Sequence, residues 1–313
     1  LAIFFTQGTL NPASTTLAND IRVAWKGAVT TAIANGKTNF AVVDDGYTTG
    51  GLIRSVITNT SGWAMEIYNS TTTSLLPVQF IFGQSYTVAT HTLNNQGFGS
   101  VVGSFTPLAS GLSGSNTATT AGTVHTAKTF NAVNTQSAWT AHFNDDYVIF
   151  SVKVTNTTGY WLYAGRFSSL TANPALGTDT YPFGMFGTAG NVLLSSHGNG
   201  STAGIHGPAI TSIYQDSAPA LASSNDFYSL NTNKAKLSPW YIYRQSITPN
   251  TNNYTLGWRR GKLFENIAYH GFPNNASIGA TVAIGTTTYM YVGNSGNFTT
   301  ATPNGYAMWA AIN

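Results

Sequence analysis

Two pairs of adjacent carboxylates, Asp44–Asp45 and Asp145–Asp146, are the first residues in this chain whose type suggests chemistry. Oxygen ligands of this kind hold hard cations such as Ca²⁺ and Mg²⁺. A cation loop also needs further ligands at fixed spacing, and no such pattern surrounds either pair. Consecutive residues of a strand point to opposite faces, so neighbouring carboxylates rarely converge. Asp also starts turns by bonding its own backbone. Both pairs therefore read as turns, the first at Asp44–Asp45–Gly46, with no metal.

The histidines are His91, His125, His142, His197, His206 and His270, and none lie three to five residues apart. That spacing excludes the two-histidine helical zinc motifs. His197 and His206 share a Gly-rich stretch and would need a distant third ligand, so each reads as exposed or singly hydrogen-bonded. No nucleophile elbow, phosphate-binding loop or dinucleotide fingerprint occurs, and no cofactor is implied. Hydrolysis of a polysaccharide would need two carboxylates flanking the scissile bond. Glu66, on an aromatic-rich strand, and Glu265 are the least unsuitable acids. The one tight basic cluster is Arg259, Arg260 and Lys262. Nucleic-acid binding asks for a basic stripe, so this cluster reads as the solvated end of a hairpin, and no nucleic-acid partner is expected.

The aromatic residues form the stronger pattern. Tyr160–Trp161–Leu162–Tyr163, Trp240–Tyr241–Ile242–Tyr243 and Tyr289–Met290–Tyr291 put rings on both faces of a strand. One face belongs to a core. The other is open to three roles: packing between sheets, a subunit interface, or a platform on which sugars stack. Trp25, Trp161, Tyr163, Trp240, Tyr241, Tyr243 and Trp309 are the candidate interface or ligand residues.

The elements that must position these residues are read from composition and periodicity. Charged residues are only 7% of the 313, against about a quarter in an ordinary soluble domain. Thr, Asn, Ser and Gly take their place, aromatics reach 13%, the formal net charge is +3 and there is no Cys. Disulfides and thiolate metal sites are therefore excluded. Acid/base and electrostatic catalysis need placed ionisable groups, so the composition argues against an enzyme. It suits a β-rich protein that solvates its surface with hydroxyls and amides.

One helix is predicted over Thr16–Asn35, with Leu17, Ile21, Trp25, Ala28 and Ile33 near helical spacing and Gly36 at the C-terminal cap. Strands are predicted at Asn39–Val43, Leu52–Thr58, Trp63–Tyr68, Pro77–Phe82, Tyr147–Val154, Tyr160–Phe167, Trp240–Ile247, Tyr254–Trp258, Ala280–Ile284, Thr288–Val292 and Tyr306–Ala311. An Asp–Asp pair, a β-branched strand and a Thr–Asn–Thr–Ser/Thr–Gly turn recur in order at 44–63 and 145–161. Pro77–Gly83 then matches Pro182–Gly187 downstream. The fold class expected is mainly β, an antiparallel sandwich of jelly-roll type. It has two related β units and one N-terminal amphipathic helix. The divisions are 1–37, an anchoring segment with the helix; 38–108, a first β unit; 109–128, a linker; and 129–313, a second, larger unit.

The opening Leu1–Ala2–Ile3 lacks a basic segment and its apolar run is too short for a signal peptide. No stretch approaches the roughly 18 apolar residues of a membrane span, so cytoplasmic synthesis and no membrane partner are expected. A Leu first residue is consistent with a UUG or CUG start codon. Together with the high Thr/Asn/Gly content, the repeated Asn–Thr–Ser/Thr–Gly turns and the terminal aromatic strand Tyr306–Ala307–Met308–Trp309, the whole chain resembles, in style, structural proteins of tailed-bacteriophage virions. The resemblance implies a tail, baseplate, neck, fibre or capsid-decoration component. It also implies a non-enzymatic virion protein without catalytic residues, whose partners are other virion proteins and copies of itself, as a homo-oligomer. Two further classes stay open: a carbohydrate- or receptor-binding module recognising host surface polysaccharide, and a polysaccharide hydrolase.

Overall fold

The computed structural model describes residues 2–49, 51–70, 78–94, 98–101, 128–130, 137–153, 159–169, 182–187, 190–194, 211–214, 241–244, 259–263, 267–271, 277–295 and 306–313. The chain opens with strand β1 (Phe4–Thr9) and helix α1 (Leu17–Ala34), then β2 (Phe40–Thr49), β3 (Leu52–Asn59), β4 (Trp63–Ser70) and β5 (Val78–Gly83). The short strands β6 (Ser85–Thr87) and β7 (Thr92–Asn94) follow, then β8 (Phe98–Val101) and β9 (Lys128–Phe130). Next come β10 (Ala138–Phe143), β11 (Tyr147–Lys153), β12 (Gly159–Arg166), β13 (Ser168–Ser169), β14 (Phe183–Gly187) and β15 (Gly190–Leu194). The last strands are β16 (Thr211–Tyr214), β17 (Tyr241–Arg244), β18 (Arg259–Lys262), β19 (Ile267–Gly271), β20 (Thr281–Ile284), β21 (Thr287–Ser295) and β22 (Tyr306–Ala311).

All pairings between these strands are antiparallel. A five-stranded sheet runs β2-β3-β4-β5-β9, and a seven-stranded sheet runs β1-β10-β11-β12-β14-β15-β8. Two four-stranded sheets run β19-β22-β21-β20 and β13-β18-β17-β16, and among the described strands β6 pairs with β7 alone. The fold is mainly β with one N-terminal helix, as expected from the sequence.

Helix α1 forms where the apolar spacing predicts it, and its stripe is buried deeply. Leu17, Ile21, Trp25, Ala28, Val29 and Ala32 pack between two sheets. One side is Ile57, Trp63, Met65, Ile67, Phe80 and Phe82 of the five-stranded sheet; the other is Phe143, Val148, Phe150 and Leu162 of the seven-stranded sheet. Trp25 stacks on Phe150 with ring centroids 4.9 Å apart and meets Phe80 at 5.5 Å. Of the expected anchoring segment, residues 2–37 are therefore built into the body of the molecule. Its helix fills the central core and β1 closes one edge of the seven-stranded sheet. Burial explains the thin polar face: a helix covered on two sides has little surface left to solvate.

The opposite face of the seven-stranded sheet packs on the C-terminal sheet. Tyr147, Ile149, Trp161 and Tyr163 meet Met290, Val292, Met308 and Ala310. The result is a stack of five-stranded sheet, helix, seven-stranded sheet and C-terminal sheet.

The sheets do not follow the boundaries expected from composition. Strand β8, from the expected first unit, joins the seven-stranded sheet beside β15; β9, at the start of the expected second unit, returns to pair with β5. Pairing energy comes from neighbours in space, which a composition shift along the chain does not reveal. The linker-like stretch 109–128 lies outside the described residues except for Lys128, which begins β9.

The expected turn at Asp44–Asp45–Gly46 is instead the middle of β2, where the register shifts twice, between Val42/Asp44 and Asp45/Tyr47. Gly46 has φ +82°, so its turn chemistry makes a bulge rather than ending the strand. At Asp145–Asp146 a tight turn does join β10 to β11, closed by Asn144 N–H donating to Tyr147 O.

Candidate functional site

The alternation of β2 sends its two carboxylates to opposite faces of the five-stranded sheet. Asp45 faces α1. It accepts hydrogen bonds from Arg22 Nη1 at 3.2 Å, Lys26 Nζ at 3.0 Å and Ser55 Oγ at 2.6 Å. Arg22 also donates to Asn69 Oδ1 and Asn19 Oδ1. Burial alone would raise the Asp45 carboxyl, but Ser55, Lys26 and Arg22 together hold it below the usual carboxylate range. This cluster anchors α1 to the sheet.

Asp44 faces the other way, into a group of interacting ionisable and aromatic side chains. Its Oδ2 accepts from Tyr86 Oη at 2.5 Å and from His91 Nδ1 at 2.6 Å. His91 stacks on Tyr47 with ring centroids 3.5 Å apart, and the Arg54 guanidinium lies 4.7 Å over the Tyr47 ring. Arg54 Nη1 donates to Glu66 Oε1 at 2.9 Å and to the His91 carbonyl at 3.3 Å. Arg54 is 1% and Glu66 0% exposed, so this is a fully buried ion pair.

Local structure explains how these residues meet. Tyr47 pairs with Arg54 across β2 and β3, and Val56 pairs with Glu66 across β3 and β4, so Tyr47, Arg54 and Glu66 share one face. The short β6–β7 ribbon, with a single 3-10 turn at Val88–Thr90, brings Tyr86 and His91 onto that face. His91 has φ +51°, the only non-glycine residue with positive φ among those described. His tolerates this left-handed conformation better than most residues. The ribbon is seated by Leu93, buried against Ala64, Tyr68 and Ile81, and by Gln84 N–H donating to Asn94 O.

Burial dominates the electrostatics here. It pushes Glu66 up to about 7, with Asp44 adding to the rise and Arg54 opposing it. Burial and then Glu66 raise Tyr68, while burial and the bond to Asp44 raise Tyr86. Chemically the arrangement fixes the His91 ring through Asp44 and stores a carboxyl whose charge changes near neutrality. Glu66 has no exposed surface, so in this conformation it cannot touch a substrate.

The sequence-derived contact residues fall elsewhere. Trp25, Trp161, Tyr163 and Trp309 are buried inside this chain, at 0%, 1%, 0% and 5% exposure. In this structure Trp161 and Tyr163 pack between sheets, and no face of Trp161 is open to a sugar. Tyr241 and Tyr243 lie on β17 between β16 and β18, while Trp240 and Glu265 lie outside the described residues. Arg259, Arg260 and Lys262 belong to β18, which pairs with β13 and β17 and opens with Arg259 opposite Tyr243. Among the histidines, His125, His197 and His206 lie outside the described residues and His270 is on β19. No group of three or more His, Cys, Asp or Glu among the described residues is placed to hold a metal ion. None of their helices is long and apolar enough to cross a membrane.

Sequence reading missed His91, Tyr86, Arg54 and Tyr47 as a group. Only the pairing of a bulged strand with a distant ribbon assembles them, although Gly46 after two Asp residues was a visible bulge signal. Neither a protein-family model nor a curated protein matches this chain.

Proposed function

We propose that this chain is a non-enzymatic structural protein of a bacteriophage virion, acting through protein–protein contacts repeated over many copies. The observation carrying this reading is the outer strand of the C-terminal sheet. β20, Thr281–Val282–Ala283–Ile284, stands at the end of that sheet's order and is largely exposed, with Ile284 at 43%. Proteins usually guard such an edge with Lys, Pro or a bulge, because its backbone groups template pairing with another chain. β20 carries neither a charge nor a proline. It is suited to add the strand of a neighbour.

The use of charge supports the same reading. Arg22, Lys26, Lys37 and Arg54 each pair with a carboxylate inside the chain, bracing one element against another. A contact surface left to hydroxyls, amides and backbone avoids the cost of desolvating charge in every copy. The proposal includes the finer architecture, a sandwich of jelly-roll type with two related β units. The meanders β3-β4-β5 and β11-β12-β14, whose strands fall in the matched segments, support that part, while the Asp pairs differ, mid-strand in β2 at Asp44–Asp45 and in a turn at Asp145–Asp146.

Native mass measurement and negative-stain imaging of the purified chain test the function, with rings, trimers or tubes expected. Ile284→Lys should keep the fold, changing stability by no more than about 0.5 kcal/mol because the site is exposed, and should shift the population toward smaller species. A chain that stays monomeric and binds host polysaccharide saturably would replace this reading with a carbohydrate-binding module.

A further inference from the structure

We infer that the β6–β7 ribbon, Ser85–Asn94, is a flap over the Arg54–Glu66 pair, latched by Asp44 to His91 and Tyr86, which opens more readily as pH rises because water then solvates the Glu66 carboxylate.

The ribbon has the construction of a separable piece. Its two strands of three residues pair with each other and with no other strand among those described. An isolated two-stranded ribbon is marginal in water, so its closed position depends on what it touches. What it touches includes the Asp44 bonds to Tyr86 and His91, the Arg54 bond to the His91 carbonyl, the stack of His91 on Tyr47, the Gln84–Asn94 backbone bond and the side chains of Leu93 and Tyr86. Gly83 sits at the junction, where an added Cβ would lie 2.7 Å from both Asn94 O and Leu93 Cγ. The close approach of the ribbon to β5 therefore requires glycine.

Beneath the flap, Glu66 Oε1 is bonded to Arg54, but Oε2 is buried with no hydrogen-bond partner among the described residues, and the neighbouring Tyr68 hydroxyl is also buried without one. A buried carboxylate with one oxygen unsatisfied is costly, and water admitted by opening would satisfy it. Asp45 of β2 faces α1; the titratable or charged groups of the packed elements that face this site all bear on Glu66. These are Asp44 and Tyr47 of β2, Arg54 of β3, Tyr68 of β4, and Tyr86 and His91 of the flap. Asp44 disfavours the Glu66 charge and Arg54 favours it. The described residues of β5, Val78–Gly83, contribute no ionisable group.

The direction follows from linkage. Closed, Glu66 titrates near 7; opened to water, it returns toward the ordinary 4.5. The closed state therefore holds the proton longer, and raising pH through that interval favours opening.

Hydrogen exchange followed by mass spectrometry on the full chain, corrected for intrinsic rates, measures the opening. Between about pH 6 and about pH 8.5, protection of the Ser85–Asn94 amides should fall about tenfold, with α1 amides as the internal reference. Glu66→Gln keeps the shape and a bond to Arg54 and should abolish that fall. Unchanged flap protection across this range in the wild type would overturn the inference, as would an undiminished fall in Glu66→Gln. If Glu66→Gln loses α1 protection as well, it has lost global stability. The wild-type comparison of flap against α1 then decides alone: a fall confined to the flap supports the inference, and a fall shared with α1 rejects it.

Discussion

Two buried residues make opposite demands on pH. His142 donates from Nδ1 to the Ala311 carbonyl at 3.1 Å, and its Nε2 faces the Thr140 hydroxyl, which is itself 2.6 Å from Ser151 Oγ. A carbonyl can only accept, so Nδ1 carries the proton and Nε2 accepts from Thr140. Burial pushes this imidazole down from 6.5 to about 4, opposed by the Ala311 bond. The unfolded chain therefore takes up a proton first, and stability present above 6.5 is lost as pH falls toward 4. Glu66 is raised from 4.5 to about 7, so its contribution is full below 4.5 and is lost as pH rises through 7. Over the shared interval the two trends offset each other. Glu66→Gln should unmask the histidine: its unfolding free energy should drop by about 2 kcal/mol between about pH 7.5 and about pH 5, while the wild type changes far less. Urea titrations at the two pH values measure both.

At the scale of elements, legibility tracked periodicity. α1 was readable to within a residue at each end because one apolar stripe recurs over five turns. β3, β4, β5, β11, β12, β20, β21 and β22 were readable because β-branched and aromatic runs end in Asn or Gly turns. β1 and β10 were not, since Phe4–Thr9 and Ala138–Phe143 mix Gly, Thr and His with aromatics, and pairing with each other and of β10 with β11 makes strands of them. The polar cluster was illegible for the same reason: Asp44, Arg54, Glu66 and His91 are separated along the chain and joined by register. Trp161, Tyr163, Tyr241, Tyr243 and Trp309 were correctly seen as strand residues, but sequence cannot tell a ring packed between two sheets from one facing a partner.

Two elements carry sharp expectations for stability. Trp25→Ala removes the ring that both flanking sheets touch and should cost about 3–5 kcal/mol in denaturant melts. Gly165, on β12, has φ +142°, and an added Cβ would lie 2.4 Å from the Asp146 carbonyl and 2.5 Å from Tyr147 Cα. These obstacles are backbone, which cannot step aside, so Gly165→Ala should lower stability by about 2 kcal/mol or more, read as a fall in the urea midpoint.

For the whole molecule, the Asp145–Asp146 turn is where the halves hold each other. Lys37 Nζ pairs with Asp145 Oδ1 at 2.9 Å, Asn39 and Asn59 donate to the Asp145 carbonyl, and Trp63 Nε1 donates to the Asp146 carbonyl at 3.0 Å. The turn ending one sheet is thereby capped by residues of the helix–sheet layer beside it. Such cross-bracing suits a rigid repeated unit, consistent with the proposed assembly role.

The exchange of strands has a practical corollary. β8 departs from the N-terminal portion to complete a sheet made mostly of later residues, β9 travels back, and β1 begins the chain in the later sheet. A polypeptide severed between β8 and β9 would leave each fragment holding pieces of the other's framework. Neither should be soluble when expressed alone, whereas co-expression should reconstitute one stable heterodimer, as in a split reporter.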